Sequence, residues 1–192
     1  MQVLTIEAVI KKLKEGRPII FQPDTLPAIG CLPNFSKIIY EVKKRDKNKA
    51  LILMGAEITQ IVKYVNQIAV KDLKKIAAKY WPGPLTIVVP ISDDHKLNFI
   101  STDNTVGIRI PNSSSAKKLI NETGPLATSS ANISGLSPSF NAHSVAQSLP
   151  NVDILGPIPW EVCSGKASTI ISWIDKGKWK LIRKGEISII EV

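Results

Sequence analysis

The residues best suited to chemistry in this 192-residue chain are cations and small hydroxyl or amide groups, scattered along its length. The densest positive stretch is Lys43-Lys44-Arg45-Asp46-Lys47-Asn48-Lys49. An arginine between two ordered elements can grip a phosphate through two N–H groups, and a lysine adds a point charge. The same lysines would also suit a solvated helix C-terminus, where they meet the helix dipole. Arg109 lies within the apolar run Val106-Gly107-Ile108-Arg109-Ile110. A guanidinium buried there needs an anionic partner, either a structural carboxylate or the carboxylate of a ligand. Ser129-Ser130-Ala131-Asn132-Ile133-Ser134-Gly135 follows a short apolar run. Such groups after a strand suit ligand binding beyond the strand end, though the same composition also makes a turn. Ser168-Thr169 and Arg183-Lys184-Gly185 bracket a hairpin pattern that would bring them together.

The elements that must position these groups are legible as patterns. Helices are predicted over 6–15, with Thr5 as cap and Gly16 as stop, and over 36–43, 58–65, 71–80, 114–121 and 144–149. Strands are predicted over 18–21, 51–54, 85–89, 106–110, 126–128, 169–174, 179–182 and 187–192. The prolines at 23 and 27 make residues 22–27 a loop, and Trp81-Pro82-Gly83-Pro84 ends the helix before it. Helices and strands alternate irregularly and the tail is a hairpin. That favours one α/β (α+β) domain spanning 1–192, a twisted mixed β-sheet flanked by helices.

Bulk properties exclude several classes. No apolar run reaches the roughly 18 residues of a membrane helix, and the N-terminus lacks a secretory h-region, so a cytoplasmic protein is expected. Cys31, Cys163, His95 and His143 each stand alone, which favours a buried thiol and a surface imidazole over a disulfide framework or zinc site. Neither a dinucleotide-binding fingerprint nor a P-loop occurs. The net charge of +9 suits a polyanionic partner, nucleotide or RNA, and suits a solvated lysine surface equally well. Trp160, Trp173 and Trp179 read as packing residues, and Lys74 and Lys75 as water-facing.

Taken together, the motifs resemble those of the YrdC-like family of threonylcarbamoyl-AMP synthases. The resemblance rests on Lys43, Arg45 and Lys49; on the intact segments at 81–86 and 130–135; on the arginine strand at 106–111; and on Ser168-Thr169 with residues 182–185. The first family motif departs: only Asp24 and Thr25 survive in Gln22-Pro23-Asp24-Thr25-Leu26-Pro27-Ala28. Asp46 replaces a usual proline, and Met54 stands where relatives often carry histidine.

The resemblance implies a YrdC/RibB-like fold and the synthesis of threonylcarbamoyl-AMP and pyrophosphate from L-threonine, bicarbonate and ATP. It assigns Lys43 and Arg45 to catalysis, and Arg45, Lys49, Ser130, Asn132 and Arg183 to ATP. Thr25, Arg109 and Ser168 are assigned to threonine. It also implies Mg2+ on the phosphates, no protein metal ligands, and a downstream tRNA threonylcarbamoyl transferase complex that receives the product. Alanine at Arg45 or Arg109 is expected to cut activity by orders of magnitude and leave the fold intact. Two rivals remain at this level. One is a non-catalytic domain binding tRNA or double-stranded RNA through its charge. The other is a carbamoyl-transfer enzyme with a different substrate.

Overall fold

Runs of Val, Ile and Leu too short for a helix become strands, and the longer amphipathic stretches between them become the helices that cover the sheet. The computed structural model describes residues 1–94, 97, 100 and 103–190. In chain order the elements are β1 (Val3–Leu4), α1 (Ile6–Lys14), β2 (Ile19–Phe21), β3 (Ala28–Cys31), α2 (Lys37–Lys43), β4 (Ile52–Met54), α3 (Ile58–Ile61) and α4 (Gln67–Tyr80). They continue as β5 (Leu85–Pro90), β6 (Thr105–Arg109), α5 (Ser114–Thr123), β7 (Leu126–Ser130), α6 (Ala142–Ser148), β8 (Asp153–Leu155), β9 (Thr169–Asp175) and β10 (Lys178–Arg183).

Among the described residues the strands form one ten-stranded sheet in the order β1-β8-β2-β3-β7-β4-β6-β5-β9-β10. It is mixed: β4 runs parallel to β6 and β5 to β9, whereas β3, β7 and β4 are successively antiparallel. The expected architecture is therefore present. One apolar cluster links sheet and helices, with Leu13, Ile20, Phe21, Ile29, Leu53, Leu73, Ile108 and Leu119 all buried in it. Trp160, Trp173 and Trp179 pack against this cluster, while Lys74 and Lys75 face water.

Local chemistry explains where the boundaries differ from the sequence reading. The Thr5 hydroxyl caps α1 as expected, accepting from the Ala8 N–H at 3.4 Å. Helix α4 starts four residues before the predicted 71 because the Asn66 side chain caps it, accepting from the Ile68 N–H. Asn141 and Ser144 form a reciprocal capping box that starts α6 at Ala142. Strands β1, β3 and β8 were not predicted: β1 and β8 are two and three residues long, and β3 is buried along its whole length, leaving no alternation to read. The predicted strand at 187–192 is not formed over 187–190, and residues 191 and 192 lie outside the described residues. There the Gly185 and Ile187 N–H groups donate to the Thr169 hydroxyl, which replaces a ladder partner. His95 also lies outside the described residues. No helix of the described residues is long and apolar enough to cross a membrane.

Candidate active site

Side chains alternate across a sheet with period two, so Ile52 and Met54 of β4 share a face with Thr128 and Ser130 of β7 and with Arg109 of β6. Together with Ala28 of β3, Ile170 of β9 and Arg183 of β10, they line a cavity of about 240 Å³. Pro23, Thr25 and Leu26 of the 22–27 loop, Arg45, Ala50, Ala167 and Ser168 complete its wall. The cavity thus lies over the face of the sheet rather than beyond the strand ends, where the sequence reading placed it. A roomier hollow of about 520 Å³ beside Val3 and Leu155 has only Glu7 and Lys118 as charged wall groups. Charge, and not size, singles out the site.

Three guanidinium groups reach this one cavity, although they lie 64 and 74 residues apart in sequence (45 to 109, 109 to 183). Arg109 ends β6 directly opposite Met54. Its Nη2 donates to Asp24 Oδ1 at 2.6 Å, its Nη1 to Thr25 Oγ1 at 2.8 Å, and its Nε to the Gly83 carbonyl at 3.1 Å. Burial pulls its pKa down and the Asp24 charge pushes back. Arg45 is aimed differently. Helix α2 stops at Lys44, whose left-handed backbone (φ 51°) turns the chain. Arg45 Nε and Nη2 then donate to the carbonyls of Lys49 and Ala50 at 3.1 and 2.9 Å. Arg183 donates from Nε and Nη2 to the Ser168 carbonyl at 3.2 and 2.8 Å. The Ser168 hydroxyl in turn shares a 2.8 Å hydrogen bond with Thr86 Oγ1. Burial lowers the pKa of Arg45 and Arg183 as well. Among the described residues only Arg109 of the three is ion-paired, so two cavity guanidiniums keep their charge for an anion.

Of the nine residues that the sequence reading assigned to the site, Thr25, Arg45, Arg109, Ser130, Ser168 and Arg183 line the cavity. Lys43 does not. It is fully buried behind the wall, donating to the carbonyls of Ser130 and Asn132 and, at 3.4 Å, to Asn132 Oδ1. Burial lowers its pKa to about 7, with Arg45 adding to the effect. Asn132 also stands behind the wall. Its Oδ1 accepts from the Ser130 hydroxyl at 2.6 Å, and its Nδ2 donates to the Ile133 and Leu136 carbonyls. The Lys49 side chain is exposed and off the wall; its backbone carbonyl, not its ammonium, serves the site by holding Arg45. Sequence reasoning missed Asp24 as the partner of Arg109, although a buried arginine signals that a carboxylate must be near. It also missed Thr86 and Thr128, which look like ordinary strand residues until the sheet is assembled.

Comparison with known proteins places the chain as a whole. The family model for Sua5, YciO and YrdC, described as "Telomere recombination", matches residues 11–185. A threonylcarbamoyl-AMP synthase of Aliivibrio fischeri is 29% identical over 156 residues, covering 78% of this chain and 84% of that protein. The synthase of Pyrococcus abyssi is 31% identical over 191 residues, covering 94% of this chain and 54% of its own length. The crystal structure of P. abyssi Sua5 complexed with L-threonine superposes with a TM-score of 0.84 at 30% identity, over 94% of this chain and 54% of that one. The chain thus spans about half the length of that archaeal relative. E. coli YciO, at 19% identity and a TM-score of 0.79, shares the fold. With the family model matched from residue 11 to residue 185, nearly the whole chain, this protein belongs to the Sua5/YciO/YrdC family.

Proposed function

We propose that this chain is an L-threonylcarbamoyladenylate synthase, joining L-threonine, bicarbonate and ATP into threonylcarbamoyl-AMP with release of pyrophosphate. The observation that carries the reading is the convergence of Arg45, Arg109 and Arg183 on one cavity, where among the described residues only Arg109 is ion-paired to a carboxylate. The threonine amine adds to bicarbonate with loss of water to give a carbamate. A carbamate oxygen then bonds to the α-phosphorus as the bond to the bridging oxygen of pyrophosphate breaks. Such a reaction needs positioning and neutralised phosphoryl oxygens more than a side-chain nucleophile.

Arg45 and Arg183 bind the phosphates in this reading, and Ser130 touches the nucleotide. Lys43 and Asn132 act through the Ser130 turn that they hold, not by contact. Arg109 donates to the threonine carboxylate, with Thr25 and Ser168 beside it. Mg2+ enters as part of the nucleotide substrate. The ion would be held mainly by phosphate oxygens and water, as is usual for Mg2+ carried by a nucleotide. The product leaves for a tRNA threonylcarbamoyl transferase complex in the cytoplasm, and RNA itself need not enter the cavity.

Pyrophosphate release measured with and without L-threonine and bicarbonate tests this. Release that requires both is the expected result. Salt-sensitive RNA binding with no such release would replace the synthase by an RNA-binding role.

A further inference from the structure

Asp24 lies next to the cavity without lining it, and among the described residues it is ion-paired to the one cavity arginine that has a carboxylate partner. Its Oδ1 accepts from Arg109 Nη2 at 2.6 Å, and both side chains are largely withdrawn from solvent (14% and 4% exposed). We propose that Asp24 sorts the two anionic substrates: by neutralising Arg109 it keeps the polyphosphate out of the amino-acid end of the cavity, while leaving Arg109 able to bind a single carboxylate.

The proposal rests on the synthase reading and deepens it. A guanidinium has five N–H donors. Three are used, on Asp24, Thr25 and Gly83, which leaves one on each terminal nitrogen of Arg109. A carboxylate can take those two with defined direction. The Coulomb attraction it feels is small, because the Arg109–Asp24 pair is neutral as a unit. A polyphosphate depends on net positive charge, and near Arg109 it would meet the Asp24 carboxylate, which offsets the Arg109 charge. It finds that charge instead at Arg45 and Arg183, whose hydrogen-bond partners among the described residues are backbone carbonyls and the Ser168 hydroxyl, with Asp46 felt by Arg45 but not ion-paired to it. Such sorting is needed because Arg183 stands close enough to Arg109 for their charges to interact. Without Asp24 the two guanidiniums would form one continuous anion trap. Glu186, a second carboxylate felt by Arg109, is hydrogen-bonded to Ser164 at 2.6 Å and backs the same polarity from farther away. Discrimination by an unfavourable charge is a general route to specificity.

Inorganic tripolyphosphate serves as the probe, in steady-state pyrophosphate release and in calorimetric threonine binding. In the unaltered protein, tripolyphosphate is expected to compete with ATP and to leave the apparent affinity for threonine unchanged. Asp24→Asn keeps an oxygen for Arg109 and removes the charge. It should make tripolyphosphate competitive with threonine, tightening its hold on that end about tenfold to a hundredfold. Asp24→Glu restores the charge and should restore the unaltered pattern, even if the threonine KM rises through poorer geometry. A merely structural Asp24 would change affinities without changing which substrate the probe competes with. Competition with threonine in the unaltered protein overturns the proposal, and that measurement needs no variant to fold. An unchanged pattern in a folded Asp24→Asn protein also overturns it. Absence of threonine binding and of threonine-dependent release would instead remove the synthase reading.

Discussion

Two cations are buried beside the same cavity and are satisfied in opposite ways. Arg109 meets a carboxylate, a hydroxyl and a carbonyl. Lys43 meets two backbone carbonyls and an amide oxygen and, among the described residues, no acid. A carboxylate cancels charge; carbonyl oxygens solvate it and leave it in place. The Arg109 corner is therefore a directional, nearly neutral donor suited to a zwitterion. The Lys43 corner places an ammonium beneath the turn that lines the cavity, and its protonation is correspondingly loose.

The largest effects should come from splitting these arrangements. If Arg45 binds phosphate as proposed, Arg45→Ala should lower kcat/KM for ATP by about 10²–10³-fold. Its melting temperature should stay near that of the unaltered protein, since its partners are carbonyls at the cavity edge. Arg109→Ala should lower kcat/KM for threonine comparably. It should also destabilise the fold by about 3–5 kcal/mol, because Asp24 is left charged and unpartnered in a buried place. The sequence-based expectation that both alanine variants keep the fold intact is thus revised for Arg109. Urea denaturation of the two variants decides: equal losses of stability would erase the distinction drawn between the corners.

Lys43→Met tests the other side of the comparison. It leaves the Ser130 and Asn132 carbonyls without their ammonium, so kcat/KM for ATP should fall about tenfold to a hundredfold as the turn loosens. The pH dependence is more diagnostic. The folded pKa, about 7, lies below the ordinary lysine value of 10.5, so between these the unfolded chain binds more protons. Stability should therefore rise with pH from about 7 toward 10 and be flat below that window. Cys31 acts in the opposite sense: burial pushes its thiol up to about 12, so the unfolded chain loses that proton first and stability falls above roughly pH 9. Subtracting the Lys43→Met urea curve from that of the unaltered protein cancels the Cys31 contribution. A difference that does not change between pH 7 and 8.5 would mean that Lys43 stays charged and is a fixed clasp.

How much of this was legible in the sequence depends on the kind of signal. Helix α1 announced itself through the spacing of Ile6, Val9, Ile10 and Leu13 and through the Thr5 cap, and it forms one residue short of the predicted end. Strand β3 gave no such signal: Ala28, Ile29, Gly30 and Cys31 are buried on both faces between β2 and β7. Its identity comes from partners distant in sequence. The site divides in the same way. Arg109 was readable because a guanidinium in an apolar strand is an unsolved electrostatic problem, whereas its solution, Asp24, lies 85 residues away. Lys43 and Arg45 are two residues apart and look equivalent as cations. One is on the helix and points into the core, and the other follows a left-handed turn and reaches the cavity. That difference is decided by the backbone at Lys44, which no charge pattern records.

The smallest expected effect belongs to Lys49, and it sharpens the contrast between charge that is placed and charge that is merely near. The resemblance assigns its ammonium to ATP, yet the side chain is exposed and only its carbonyl meets Arg45. Lys49→Ala retains that carbonyl. What it removes is one solvated charge, whose field at the cavity is cut down by water and salt within a Debye length of about 8–10 Å. Steady-state kcat/KM for ATP should therefore fall no more than about threefold at 0.15 M salt, and the gap should close as salt is raised. A loss of tenfold or more that persists at high salt would require direct contact between Lys49 and phosphate. The 45–50 segment would then have to close over the nucleotide, and the division between a neutral and a charged corner would need a third, mobile member.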